Sequence, residues 1–128
     1  MKVDVITIFP RMIEAGLAEG VVGRARNAGL LDIVVHNLRD FTTDKHHVVD
    51  DVPFGGGPGM VMKPEPFFAA MSAIRARRGT PDAVILLSPA GERFSQDGAR
   101  RLSALQHVVL LCGRYEGIDE RVREALAT

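Results

Sequence analysis

The chain has 128 residues, enough for one domain with a buried core, and its 46% hydrophobic and 25% charged residues are the proportions of an ordinary globular protein. Sixteen Lys and Arg balance sixteen Asp and Glu, so no global basic field draws nucleic acid in, and any such contact must come from a local patch. The single cysteine, Cys112, excludes an internal disulfide and suits a reducing cytosol, and the longest aliphatic runs, AVILL and VVLLC, are far too short to cross a bilayer.

Val3 to Phe9 reads as a β-branched strand, and Pro10 suits the first position of a following helix. Asp4 interrupts this apolar run almost at once, so no signal peptide is read and a cytoplasmic location is expected. Gly16 and Gly20 divide the next stretch into two short helical pieces. The second piece, around Val21 to Ala28, should be closed by Gly29. Leu30 to Val35 is a second apolar strand. From Asn37 to Gly59 there is no apolar periodicity, and a loop of that length inside a compact domain is expected to be functional or mobile.

Pro64 opens a helix with apolar residues at Phe67, Phe68, Met71 and Ile74, basic residues in its last turn, and Gly79 as its stop. Ala83 to Leu87 is the third strand, followed by the turn SPAGERF. Ser95 reads as the N-cap of a helix running to about Leu105. His107 to Cys112 is the fourth strand and Ile118 to Ala127 the last helix, a helical pattern still running where the chain reaches Thr128. Short apolar strands alternating with helices predict an α/β fold, a parallel sheet covered by helices on both faces.

The segment LCGRYEGIDERV, Leu111 to Val122, is the most informative in the chain. It places Gly113 and Gly117 at a strand-to-helix turn with Arg114, Tyr115 and Glu116 between them. Open parallel sheets bind ligands at the carboxyl ends of their strands, and small residues there let a ligand approach the backbone. The turn LLSPAGERF, with Ser88, Pro89 and Gly91, has the same placement after the preceding strand, so neighbouring strands would bring both turns to one crevice. The loop DKHHVVDDVPFGGGPGM is neither a Walker A loop nor a dinucleotide fingerprint. It reads either as a flexible connector or as backbone that hugs a planar or phosphate-bearing ligand. His46 and His47 lack a metal-ligand spacing, and contact of Lys45, His46 and Arg39 with an anionic backbone is preferred to a metal site. Cys112 reads as a small buried hydrophobe rather than a nucleophile. Arg24 and Arg26 read as a solvated face, and Arg75, Arg77 and Arg78 as no more than a helix ending.

Taken together, ITIFP, GVVGRARNAGLL, RDFTTDKHHVVDDVPFGGGPGM, LLSPAGERF and LCGRYEGIDERV resemble the bacterial tRNA (guanine-N1)-methyltransferases, in order and along the whole chain. That resemblance implies a SPOUT-type knotted methyltransferase fold, here incomplete at the C-terminus, acting as a homodimer with the active site at the subunit interface. It implies S-adenosylmethionine as methyl donor and tRNA as substrate, methylated at N1 of the guanine just 3′ of the anticodon. Leu87, Ser88, Pro89, Gly91 and Gly113 would line the cofactor pocket, with Cys112, Arg114 and Tyr115 beside them. Glu116 would accept hydrogen bonds from the guanine edge, and Asp50 and His46 would belong to the RNA-facing loop. The family's general base, its third cofactor loop and its tRNA-gripping domain correspond to positions beyond Thr128, so the 128 residues alone are expected to be inactive. An RNA-binding module without catalysis, or a knotted methyltransferase acting on another RNA, are the alternatives.

Overall fold

The structure, a computed structural model, describes residues 1–51, 60–114 and 117–128. In chain order its elements are β1 (Lys2–Thr7), α1 (Pro10–Leu17), α2 (Gly20–Asn27), β2 (Asp32–Asn37), a 3₁₀ turn (Leu38–Phe41), β3 (Asp50–Asp51), β4 (Val61–Met62), α3 (Pro64–Arg78), β5 (Ala83–Leu86), α4 (Gln96–Ser103), β6 (His107–Leu111) and α5 (Glu120–Leu126). The four longer strands form one parallel sheet in the order β2-β1-β6-β5, and β3 pairs with β4 as a short antiparallel ribbon. The steps β1 to β2 and β5 to β6 run the same way across the sheet, whereas β2 to β5 runs the opposite way. Right-handed crossovers then put α1, α2 and α4 on one face and α3 on the other, where α5 joins it.

All four predicted strands are present, and their ends differ for local reasons. Phe9 is not in β1 but is the N-cap residue of α1, because Pro10 starts the helix. Gly29, at φ +78°, closes α2, and the N–H groups of Leu30 and Leu31 still donate to the Ala25 carbonyl, so β2 begins only at Asp32. At the other end, Ile118 forms a parallel bridge with Met62 and Asp119 caps α5 by accepting from the Arg121 N–H at 2.9 Å, which delays the helix to Glu120. The expected helical run into Thr128 is also corrected. α5 stops at Leu126, and Thr128 docks on the outer edge of β5, its N–H donating to the Val84 carbonyl at 2.8 Å.

The main core lies on the α3 face. Ile6, Val84, Val109 and Leu111 of the sheet bury against Phe67, Met71 and Ile74 of α3, with Val122 and Leu126 of α5 closing one side. Val49, in the long segment expected to be a mobile loop, is fully buried in the same core. The opposite face is thinner: Val5 and Val108 are buried, but no residue of α1 is, and Met12, Val21 and Leu30 stand exposed.

On the α3 face the apolar row of β1 is interrupted by Asp4, which is fully buried. One carboxylate oxygen accepts from His36 Nε2 of β2 and the other from His107 Nε2 of β6, both at 2.6 Å. Arg78, the last residue of α3, sets its Nε 2.8 Å from Oδ1 and reaches on to Asp32, while Lys2 Nζ donates to the Arg78 carbonyl. Arg78 is therefore far more than a helix ending. An ionised carboxylate only accepts, so each imidazole carries its proton on Nε2. Burial alone pushes the Asp4 carboxyl up, but hydrogen bonds from His36, His107 and Arg78 outweigh it and hold the group below the usual carboxylate range. Arg26 likewise is not solvated as expected: it bonds Glu14 of α1 at 3.0 Å and the Ile33 carbonyl of β2, clamping helix to sheet.

Removing Asp4 strands three donors in a dry setting, and Asp4→Ala should cost about 3–5 kcal/mol of unfolding free energy in a denaturant titration. Because the folded-state pKa is lowered, the stabilisation is complete above the unfolded-state value of about 3.9 and is lost as pH falls through the folded value. Asp4→Asn should therefore be less stable at neutral pH and show a shallower loss of stability below about pH 4 than the parent. An acid limb identical in slope would refute the assignment.

Candidate functional site

β5 and β6 are adjacent and parallel, with Leu86 opposite Leu111, so the turns that follow them leave the same edge of the sheet. Leu87 extends the ladder by donating its N–H to the Leu111 carbonyl at 3.1 Å, and its side chain remains 51% exposed. Ser88 then turns the chain: its Oγ accepts from the Ala90 N–H at 3.1 Å and its carbonyl from the Gly91 N–H at 3.3 Å. Across the gap Cys112 continues β6, donating to the Ile6 carbonyl of β1 at 2.9 Å. Its thiol is half-buried, and burial pushes its pKa up, in keeping with a packing role rather than a nucleophilic one. Leu87 and Cys112 thus begin neighbouring exits from the sheet, with Ser88, Pro89 and Gly91 following one and Gly113 the other. Tyr115 and Glu116 lie outside the described residues.

The long loop joins this edge through main-chain bonds that the sequence did not reveal. Met62 of β4 donates its N–H to the Gly117 carbonyl at 3.0 Å and accepts from the Asp119 N–H at 3.0 Å. Asp50 of β3 stands directly opposite Met62, so it is carried to the segment that follows Gly113. Upstream, the loop is organised by its own side chains. Asn37 Oδ1 caps the 3₁₀ turn by accepting from the Arg39 N–H, and Asp44 accepts from the N–H groups of His46 and Val48. The hydrogen bond from Val48, the largest influence, holds the Asp44 carboxyl below its ordinary range. His47, at φ +53°, sets Nδ1 2.9 Å from both Thr42 Oγ1 and the Arg39 carbonyl. His46 is exposed in this loop, and no bond ties its side chain to Asp50 among the described residues. The Val52–Gly59 run, with its glycines, lies outside the described residues.

A polar cleft of about 130 Å³ runs beside the ribbon, lined by Asp51, Lys63, Glu65, Asp119 and Arg121 among others. Another, of about 240 Å³, lies between Phe41–Asp44 and the start of α3. Both are below the roughly 300–1,000 Å³ of small-molecule sites, and neither includes the Leu87–Gly91 turn. Among the described residues the crevice between the two turns is an open edge. No three His, Cys, Asp or Glu side chains of those residues converge as metal ligands, and no helix is long and apolar enough to cross a membrane.

Gly113 has a requirement beyond ligand access. A Cβ there would sit 3.0 Å from Ile118 Cγ1 and 3.1 Å from Cδ1, tighter than ordinary van der Waals contact. Gly113→Ala should cost about 1–3 kcal/mol by overpacking. Trimming the obstruction as well, in Gly113→Ala with Ile118→Ala, should show a favourable coupling of about 0.5 kcal/mol or more in a double-mutant cycle. Strict additivity would mean that Ile118 does not set the limit.

A solved structure shares this fold, and curated sequences align with the chain. The fold superposes on the crystal structure of tRNA (m1G37) methyltransferase from Aquifex aeolicus with a TM-score of 0.91 at 38% identity, covering 100% of this chain and 57% of that one. The chain is 52% identical over 128 residues to a tRNA (guanine-N(1)-)-methyltransferase of Dehalococcoides mccartyi, covering 52% of it. It is 55% identical over 125 residues to that of Geobacter metallireducens, with 97% of this chain and 50% of the relative aligned. The chain thus spans about half the length of the curated relatives it matches. The profile of the tRNA (guanine-1)-methyltransferase TrmD family matches every residue from 1 to 128, and the chain belongs to that family.

Proposed function

We propose that these residues form the S-adenosylmethionine-binding methyltransferase domain of an enzyme that methylates N1 of the guanine 3′-adjacent to the anticodon of tRNA. The observation that carries the reading is the docking of β4 on Gly117–Asp119, which sets Asp50 beside the turn whose preceding residue in the chain is Glu116. A substrate-facing acid and a cofactor-facing glycine turn thereby share one edge.

The residues present suit the cofactor. Leu87 offers an exposed apolar surface, and the tight Ser88–Gly91 turn and the side-chain-free Gly113 leave backbone groups within reach of an adenosine. Bound there, S-adenosylmethionine supplies an electrophilic methyl group on sulfur. The protein's share is orientation and proton management. N1 of guanine carries a proton at neutral pH, and a carboxylate base must remove it for that nitrogen to attack. In this reading Glu116 holds the guanine edge, Asp50 and His46 face the RNA, and the base comes from family positions outside these 128 residues. The homodimer fits the exposed Met12 and Val21, on helices that bury little of their own surface, and the exposed Leu30 just after α2. A cytoplasmic setting, where tRNA is available, is part of the same reading.

The test is made on the intact protein. Glu116→Ala should cut methyl transfer to unmodified tRNA about a hundredfold or more while leaving S-adenosylmethionine affinity, read by calorimetry, within about twofold. Equal loss of both would make Glu116 structural, and undiminished turnover would remove it from the substrate site.

A further inference from the structure

Among the described residues, His47 alone of the non-glycine residues has a positive φ, at +53°. Side chains enter that region sparingly and persist there when surrounding contacts enforce it. Here the contacts converge on one ring nitrogen. The Arg39 carbonyl accepts from the Thr42 hydroxyl at 2.8 Å and stands 2.9 Å from His47 Nδ1, which is also 2.9 Å from Thr42 Oγ1. A carbonyl has no proton to give, so its short contact with Nδ1 is attractive only when that nitrogen carries the hydrogen. The tautomer follows: in the neutral ring Nδ1 donates inward and Nε2 keeps a lone pair. His47 is exposed, and among the described residues its side-chain bonds all go through Nδ1. The main chain around it is anchored. Arg39 Nη1 donates to the His47 carbonyl at 3.3 Å, Asp44 accepts from the Val48 N–H, and the carbonyl of the buried Val49 accepts from the Lys63 N–H at 2.7 Å. Asp50 follows, opposite Met62, at the edge that carries the candidate site. Three residues of chain reach at most about 11 Å, so His47 stands close to that edge.

We propose that His47 is a substrate-binding residue whose Nε2 accepts a hydrogen bond from a ribose 2′-hydroxyl of the tRNA, near the target guanine. This rests on the methyltransferase reading above and deepens it. An acceptor held outward suits a group that offers a proton. Phosphate oxygens offer none, whereas the 2′-hydroxyl donates and is the group by which a protein tells RNA from DNA at a given place. Attraction to phosphates cannot make that distinction, because both nucleic acids carry them. With the tautomer already set by the Arg39 carbonyl and the loop anchored, little freedom is lost when the bond forms. An imidazolium donating from Nε2 to a phosphate is the other use of the same atom, and the two separate by experiment.

Equilibrium binding of an unmodified tRNA transcript to the intact protein, measured over a series of salt concentrations, gives the first readout. His47→Gly removes the ring and suits a backbone at φ +53°, so the loop keeps its course. It should weaken tRNA binding about three- to tenfold, the range of one hydrogen bond. The slope of log K against log salt, and S-adenosylmethionine affinity by calorimetry, should not change. A slope reduced by about 0.7–0.9 would mean a lost phosphate contact and overturn the proposal, as would undiminished binding. The second readout is a set of synthetic anticodon stem-loops, each with a single 2′-deoxyribose. One of them should bind the parent protein about three- to tenfold more weakly than the all-ribose stem-loop, and that deficit should vanish in His47→Gly. A deficit of equal size in both proteins would place the hydroxyl elsewhere and defeat the assignment. Absence of any deficit in the parent would defeat it too, even if the variant failed to fold. Since the readout is binding, a parent protein that bound tRNA without methylating it would defeat the methyl-transfer reading separately.

Discussion

A carboxylate without solvent, on an inner strand of a sheet, costs several kcal/mol unless its lone pairs are answered. In this fold the partners of Asp4 come from separate elements: His36 from β2, His107 from β6 and Arg78 from the end of α3. Slipping either neighbouring strand by one residue would turn its imidazole to the opposite face and leave the charge exposed to a dry core. The pairing thus selects one register for three strands and one docking position for the longest helix. An apolar residue at position 4 would be compatible with many registers, and packing alone would have to choose among them.

Register is what the site is made of. Parallel strands place all their carboxyl ends on one edge, and the β1–β6–β5 alignment decides which exits are neighbours there. Leu87 bonds to Leu111 and Cys112 to Ile6, so both turns begin as continuations of the ladder rather than as free loops. The β3–β4 ribbon then adds its backbone to Gly117–Asp119 and draws the polar loop onto the edge. The buried polar cluster and the candidate site lie apart, yet the first fixes the geometry of the second.

The strands, the long helix and the Ser88–Gly91 turn were legible in the sequence because each rests on a local signal: β-branched runs, Pro64 and Gly79 around a 3.6-residue pattern, or small residues just beyond a strand. What escaped notice depends on partners distant in sequence. Asp4 and His107 are 103 residues apart, and no periodicity announces that two histidines and an arginine will converge on one acid. The ribbon was hidden for a related reason. Its two strands have two residues each, and Met62 has its other partner at Gly117–Asp119. Arg26 and Arg78 looked like solvated cations because helical faces at helix ends usually are, and only the sheet beneath shows what they reach. For the loop from residue 37 to 51 the missing signal was side-chain capping, by Asn37 and Asp44, which orders backbone without apolar repeats.

The charge arithmetic takes on a different meaning once these contacts are known. Arg26, Arg78, Arg100, Arg101, Arg121 and Arg123 each meet a carboxylate of this same chain. Those cations serve packing or surface pairing, and their fields are largely cancelled at a distance beyond the Debye length of about 8 Å. Arg114 also packs over an aromatic face, the Phe9 ring, whose quadrupole attracts a guanidinium. At this sheet edge the ring follows β1 and the cation follows β6, so the same strand pairing that Asp4 secures also brings the two together.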